Sequence, residues 1–204
     1  MISFFKKLKP NKLKVKRHKL NKGMTYVELI VVLAIFAVIS SVVMFNYGNF
    51  QAKVDIKNLG SDIALKIVEA QKSSLSGLLP ALSYGPDWKP SYGVYFDITT
   101  PTLSKQFIYF ADLNNANGYE AGEALSTISI TKNNSISELR IFGAGCPSTV
   151  TNLNIIFKRP DSGATIISNP ALSCTPSYVQ ITVVSPKGMT SLIKLYPSGR
   201  VQIN

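Results

Sequence analysis

One apolar run limits what this chain can become. From Met24 to Phe45, 22 residues carry a single charge, Glu28. At a helical rise of about 1.5 Å per residue the run spans about 33 Å, enough to cross the hydrocarbon core of a bilayer. A helix that is apolar on every side must be buried, in lipid or among other helices. A carboxylate at the centre of a span costs roughly 2.5–3.5 kcal/mol, so an acid retained inside one points to a task. Glu28 is fifth from Met24, near one end, where a side chain can also reach the headgroups. Both readings stay open on these residues alone.

The preceding residues orient the run. Residues 1–22 hold nine Lys and Arg and no acid. Basic flanks stay cytoplasmic, so the N-terminus is expected inside and the rest of the chain outside. A basic flank, then Gly23, then an apolar run with Glu at its fifth position resembles the class III signal of type IV prepilins and pseudopilins. Thr25 also fits that pattern. Met24 stands where Phe is common and Tyr26 where Leu is common, and the leader, residues 1–23, is long, closer to the type IVb subclass. A Sec-type signal would instead place small residues at a cleavage site after the apolar region, and Ser40-Ser41 is only a weak version of that.

The resemblance implies that a prepilin peptidase cuts between Gly23 and Met24 on the cytoplasmic side and N-methylates Met24. It further implies that Glu28 of an incoming subunit pairs with the N-terminal amine of an adjacent one and fixes axial register in a filament. The alternative is an intrachain contact, since Met24 and Glu28 lie four residues apart on one helix. Implied partners are the peptidase, like or related pilin subunits and an inner-membrane assembly platform. The specific likeness covers Gly23 to about Phe50.

Composition misleads until the leader is set aside. The net charge of +11 and pI near 9.7 invite a nucleic-acid reading. Without residues 1–23, 13 Lys and Arg face 11 Asp and Glu, and the only His, His18, is gone. Nucleic acid is therefore not indicated. A chain without His, and with Cys only at 146 and 174, has poor material for a zinc site or a His-based triad, so no enzyme is expected.

The helical pattern continues past Phe45. Ala52, Ile56, Leu59, Ile63, Ile67 and Ala70 form one stripe on a 3.6-residue helix, with Lys53, Asp55, Lys57, Asp62, Lys66 and Lys72 elsewhere. A single helix is expected from about Thr25 to Gln71, with a bend or melted turn at Gly48, and Ser73 to Gly77 followed by Pro80 as its end. From Tyr84 onward short β-prone runs alternate with Pro, Gly and Asn. The expected strands are Tyr92–Ile98, Gln106–Ala111, Ser126–Thr131, Glu138–Phe142, Asn152–Lys158, Ala164–Ile167, Tyr178–Val184, Ser191–Tyr196 and Arg200–Ile203. Trp88, Tyr92, Tyr95, Phe96, Phe107, Tyr109 and Phe110 are read as core and sheet residues. The fold class is α+β: a long helix whose second half packs on an antiparallel sheet, the arrangement the pilin resemblance also implies. The expected organisation is a leader (1–23), a transmembrane or polymerisation helix (24–47), an amphipathic continuation (48–76) and a β-rich head (77–204).

Two head features carry chemistry. Cys146 and Cys174 are the only cysteines, so one intrachain pairing exists, and outside the cytoplasm a disulfide is favoured over two buried thiols. It would close a loop of 29 residues, worth roughly 3–4 kcal/mol in the chain-entropy model. Asp112 to Glu123 is a 12-residue loop whose donors at positions 1, 3, 9 and 12 match an EF-hand-like calcium loop. Asp112, Asn114, Glu120 and Glu123 would be the ligands. Ala116 at the fifth position lacks a donor, and Gly118 falls at the seventh position instead of the sixth. Calcium is the one candidate cofactor, and a polar Asn/Gly turn is the competing reading.

The function expected is that of a structural subunit, a minor pilin or pseudopilin of a type IV pilus, secretion or DNA-uptake filament. It would be held in the inner membrane with its head outside until assembly. The alternative is an unprocessed single-pass binding module, such as an adhesin.

Overall fold

The structure, a computed structural model, describes residues 23–80, 90–146 and 148–204. Residues 1–22 of the leader, and Trp88, lie outside them. By contact density the chain divides into two compact units, Met1–Met44 and Phe45–Asn204.

Helix α1 runs from Tyr26 to Ser76, 51 residues. It continues five residues past the expected end, and it is helical through Gly48, so of the bend or melted turn expected there the melted turn is absent. Its flanking residues keep the i to i−4 ladder intact, and a lone Gly costs a helix only about 1 kcal/mol. The helix stops in a Schellman motif: Gly77 adopts φ +64°, its N–H donates to Ser74 O, and Leu78 N–H donates to Ser73 O, both at 3.1 Å. In the first unit every described residue of the apolar run except Ser40 is exposed.

In the second unit the expected stripe is the buried face. Ile56, Ile63, Ile67 and Ala70 are fully enclosed, and Leu59 packs at the edge of the same cluster. Gly60 is buried because Ser191 and Ile203 approach closely; a Cβ there would meet Ser191 Oγ at 2.8 Å.

One sheet was expected, and there are two, each antiparallel with five strands. Sheet A has the order β3 (Ala124–Ser129), β2 (Gln106–Asp112), β1 (Ser91–Asp97), β6 (Asn152–Phe157), β7 (Ala164–Asn169). Sheet B has the order β10 (Val201–Ile203), β9 (Thr190–Leu195), β8 (Tyr178–Val184), β4 (Ser135–Phe142), β5 (Thr149–Val150). All nine expected strands are present with small shifts at their ends. The two-residue β5 was missed, being too short to show alternation. The inner face of sheet A contributes Tyr92, Val94, Phe96, Leu153, Ile155 and Phe157, and sheet B contributes Val179, Ile181, Val183, Ile193 and Leu195, to one core with the helix stripe. The result is α+β, a long N-terminal helix contacting two antiparallel sheets. The architecture resembles that of pilins.

The end of α1 is fixed to sheet A by polar contacts. Ser74 Oγ donates to Phe157 O at 2.8 Å, and Tyr109 Oη donates to Ser73 Oγ at 2.9 Å. Both serines are buried, so their hydroxyls need these partners.

Candidate functional site

The first site is the start of α1. Thr25 is its N-cap and Glu28 its third residue. Glu28 N–H donates to Thr25 Oγ1 at 3.3 Å, while Glu28 Oε2 accepts the Thr25 N–H at 2.7 Å and the Thr25 hydroxyl at 2.8 Å. This is a reciprocal capping box, which satisfies two of the four orphan donors at a helix start. The sequence carried the signal, Thr-x-x-Glu before an apolar run. In a single chain the carboxylate is thus occupied locally, and it is exposed. Gly23 and Met24 precede the helix and are exposed. Among the described residues nothing lies within 4 Å of where a Cβ on Gly23 would stand. The fold itself makes no demand for glycine there. The helix is long and apolar enough to cross a membrane, by length and composition.

The second site is the loop between β2 and β3. Phe110 and Ile156 are buried yet belong to a separate cluster on the outer face of sheet A, away from the main core. Gly93 makes room for it: a Cβ there would meet the Phe110 ring at 2.7 Å. The loop folds back over this patch. Tyr119 stacks on Tyr95 at 5.1 Å and meets Phe110 edge-on at 5.6 Å, while its N–H donates to Asn154 Oδ1 at 2.9 Å. Burial, and then the Asp97 carboxylate that its hydroxyl donates to, push Tyr95 up to about 12. Burial pushes Asp97 upward too, but the Thr99 hydroxyl and N–H, with the Tyr95 hydroxyl, outweigh it and hold the acid below its ordinary value.

The four loop residues expected as calcium ligands are brought into one small region, and their oxygens have defined partners. Asp112 accepts N–H groups from Ala116 at 3.1 Å and Asn117 at 3.2 Å. Glu123 accepts those of Leu113 at 2.9 Å and Glu120 at 3.0 Å. Asn114 Oδ1 accepts the Ala116 N–H, and its amide nitrogen donates to Glu120 Oε2 at 2.8 Å. Asp112 and Glu123 are buried, and they terminate the loop's own backbone donors. Among the described residues no group of three or more His, Cys, Asp or Glu is placed to hold a metal ion. A cation without a signal in the sequence reaches this loop: Lys158 Nζ donates to Asn117 Oδ1 and, at 3.3 Å, to Asn115 Oδ1. Asn115 and Asn117 both adopt positive φ, which Asn tolerates better than other side chains.

The third feature is the disulfide. Cys146, beyond the end of β4, is bonded to Cys174, ahead of β8, with Cα atoms 5.2 Å apart. Gly143 lies beneath it, where a Cβ would meet Cys146 Sγ at 2.7 Å.

No protein-family model, curated protein or solved structure matches this chain.

Proposed function

We propose that the protein is a pilin-like structural subunit that is cut between Gly23 and Met24 and assembles through its N-terminal helix. The observation that carries this reading is the exposed first unit. Its helix surface is apolar on all sides and its one carboxylate is three residues past an N-cap, while the second unit buries its own core completely. Such a surface needs lipid or identical helices around it. Cleavage would remove nine positive charges that resist extraction from the membrane and create an amine beside Glu28. N-methylation keeps that amine positive.

The capping box refines the role of Glu28. The oxygen that accepts from Thr25 has further lone pairs, so a neighbour's amine can join without unwinding the helix start. The pair would be valuable in a dry fibre core, where breaking a buried ion pair costs about 3–5 kcal/mol. Glu28→Ala is expected to leave cleavage largely intact while fibre yield falls sharply. Normal fibre yield from this variant would remove the assigned role of Glu28.

A further inference from the structure

The Lys158 contact has a chemical consequence that does not depend on filament assembly. Lys158 follows Phe157, whose partner on β1 is Tyr92. Asp112 is paired with Ser91 on the other side of β1. Lys158 and Asp112 therefore flank the same end of β1, about 10 Å apart at two strand spacings. Asn117 is bonded to both. Its Oδ1 accepts from Lys158 Nζ, and its backbone N–H donates to Asp112 Oδ2 at 3.2 Å. Its amide nitrogen donates to Asn115 O at 3.3 Å. An amine and an amide carbonyl are thus in contact, and a carboxylate without solvent exposure is bonded to the backbone of the same asparagine, beside the buried Phe110 and Ile156.

We propose that Lys158 and Asn117 condense into an isopeptide crosslink, with Asp112 carrying the proton. Held geometry makes such a reaction effectively unimolecular, and an enclosed carboxylate is suited to moving protons between nitrogens. Asp112 takes one proton from the Lys158 ammonium, and the freed amine attacks Asn117 Cγ. The Nζ–Cγ bond forms. Asp112 returns its proton to Nδ2, the Cγ–Nδ2 bond breaks, and the nitrogen departs as ammonia. That ammonia takes up the second lysine proton and leaves as ammonium. One amide replaces another, and nothing is oxidised or reduced. Asn117 is the reacting residue rather than Asn115, because only Asn117 also bonds to Asp112. The product ties the loop after β2 to the end of β6, joining residues 41 apart in sequence.

The test is mass spectrometry of the purified full chain, intact and after proteolysis. The expected result is a mass lower by one ammonia and a branched peptide joining residues 117 and 158. The Asn117-Gly118 step can lose the same ammonia by closing to a succinimide, so the variants separate the two. In Lys158→Arg, which keeps the charge and cannot form the amide, the loss should vanish; a succinimide would survive. Asn117→Ala should also abolish it, and Asn115→Ala should not. Asp112→Asn should leave most of the chain unlinked; complete linking there removes Asp112 from the reaction. Wild-type chain with its full complement of ammonia, or loss that persists in Lys158→Arg, overturns the crosslink.

Discussion

Removing the disulfide offers a quantitative check on how the head is held. Cys146 and Cys174 lie 28 residues apart, and the strands beyond them, β4 and β8, pair from Phe142↔Tyr178 onward without help from the bridge. The bridge therefore acts chiefly on the unfolded chain. For a loop of this length the chain-entropy relation gives about 12 cal/mol/K, or about 3.6 kcal/mol at 25 °C. Domains have roughly 5–15 kcal/mol of total stability, so Cys146→Ala/Cys174→Ala is expected to fold but with a much smaller margin. In urea, with a slope of about 2 kcal/mol/M, the unfolding midpoint of the full chain in detergent should fall by about 1.8 M. Wild type treated with reductant should move by a similar amount, and the slope should rise as the unfolded state loses its crosslink. A midpoint shift below about 0.5 M would mean that the bridge does not act through the unfolded chain and that something else constrains the denatured ensemble.

Other outcomes follow from the same contacts. Glu123→Gln should lower thermal stability by about 1–3 kcal/mol, because a buried carboxylate that caps two backbone donors loses part of its acceptor capacity; differential scanning calorimetry checks it. Millimolar calcium should leave the wild-type midpoint unchanged, since the loop's oxygens are engaged by its own N–H groups. A calcium-specific rise, absent with magnesium, would establish the calcium site. The acids Asp97 and Asp55 have folded values below their ordinary ones, Asp55 chiefly through its bond to Lys132. Their contribution is therefore present above about pH 4 and lost as pH falls through the depressed folded values. Acid unfolding of Asp97→Asn should show a weaker pH dependence than wild type; identical profiles would contradict the assignment. Gly23→Val should fold normally and resist cleavage; unchanged processing would mean the cut lies elsewhere.

Much of this was legible because periodicity reports burial. The stripe from Ile56 to Ala70 marked a helix and its buried face, and the β-prone run Tyr178–Val184 marked a strand. The disulfide was legible because two cysteines permit one intrachain bond. The division into two sheets was not legible, because pairing of β4 with β8 and of β1 with β6 joins runs far apart in sequence. Neither was the small outer cluster of Phe110, Ile156 and Tyr119, whose burial depends on a loop folding back. The spacing of Asp112, Asn114, Glu120 and Glu123 suggested cation ligands, yet the same oxygens serve backbone donors of the loop. Short polar side chains in turns bond locally as readily as they bind ions. Lys158 at the end of β6 gave no local sign of its partners, 41 and 43 residues away.

A processed subunit has Met24 as its N-terminal residue, two residues before helix α1 starts at Tyr26. Mass spectrometry of the N-terminal peptide from the native membrane or filament fraction tests it most directly. The expected peptide begins at Met24 and carries one added methyl group on its amine. A native chain that retains Met1, or begins after Ser40-Ser41, would contradict it.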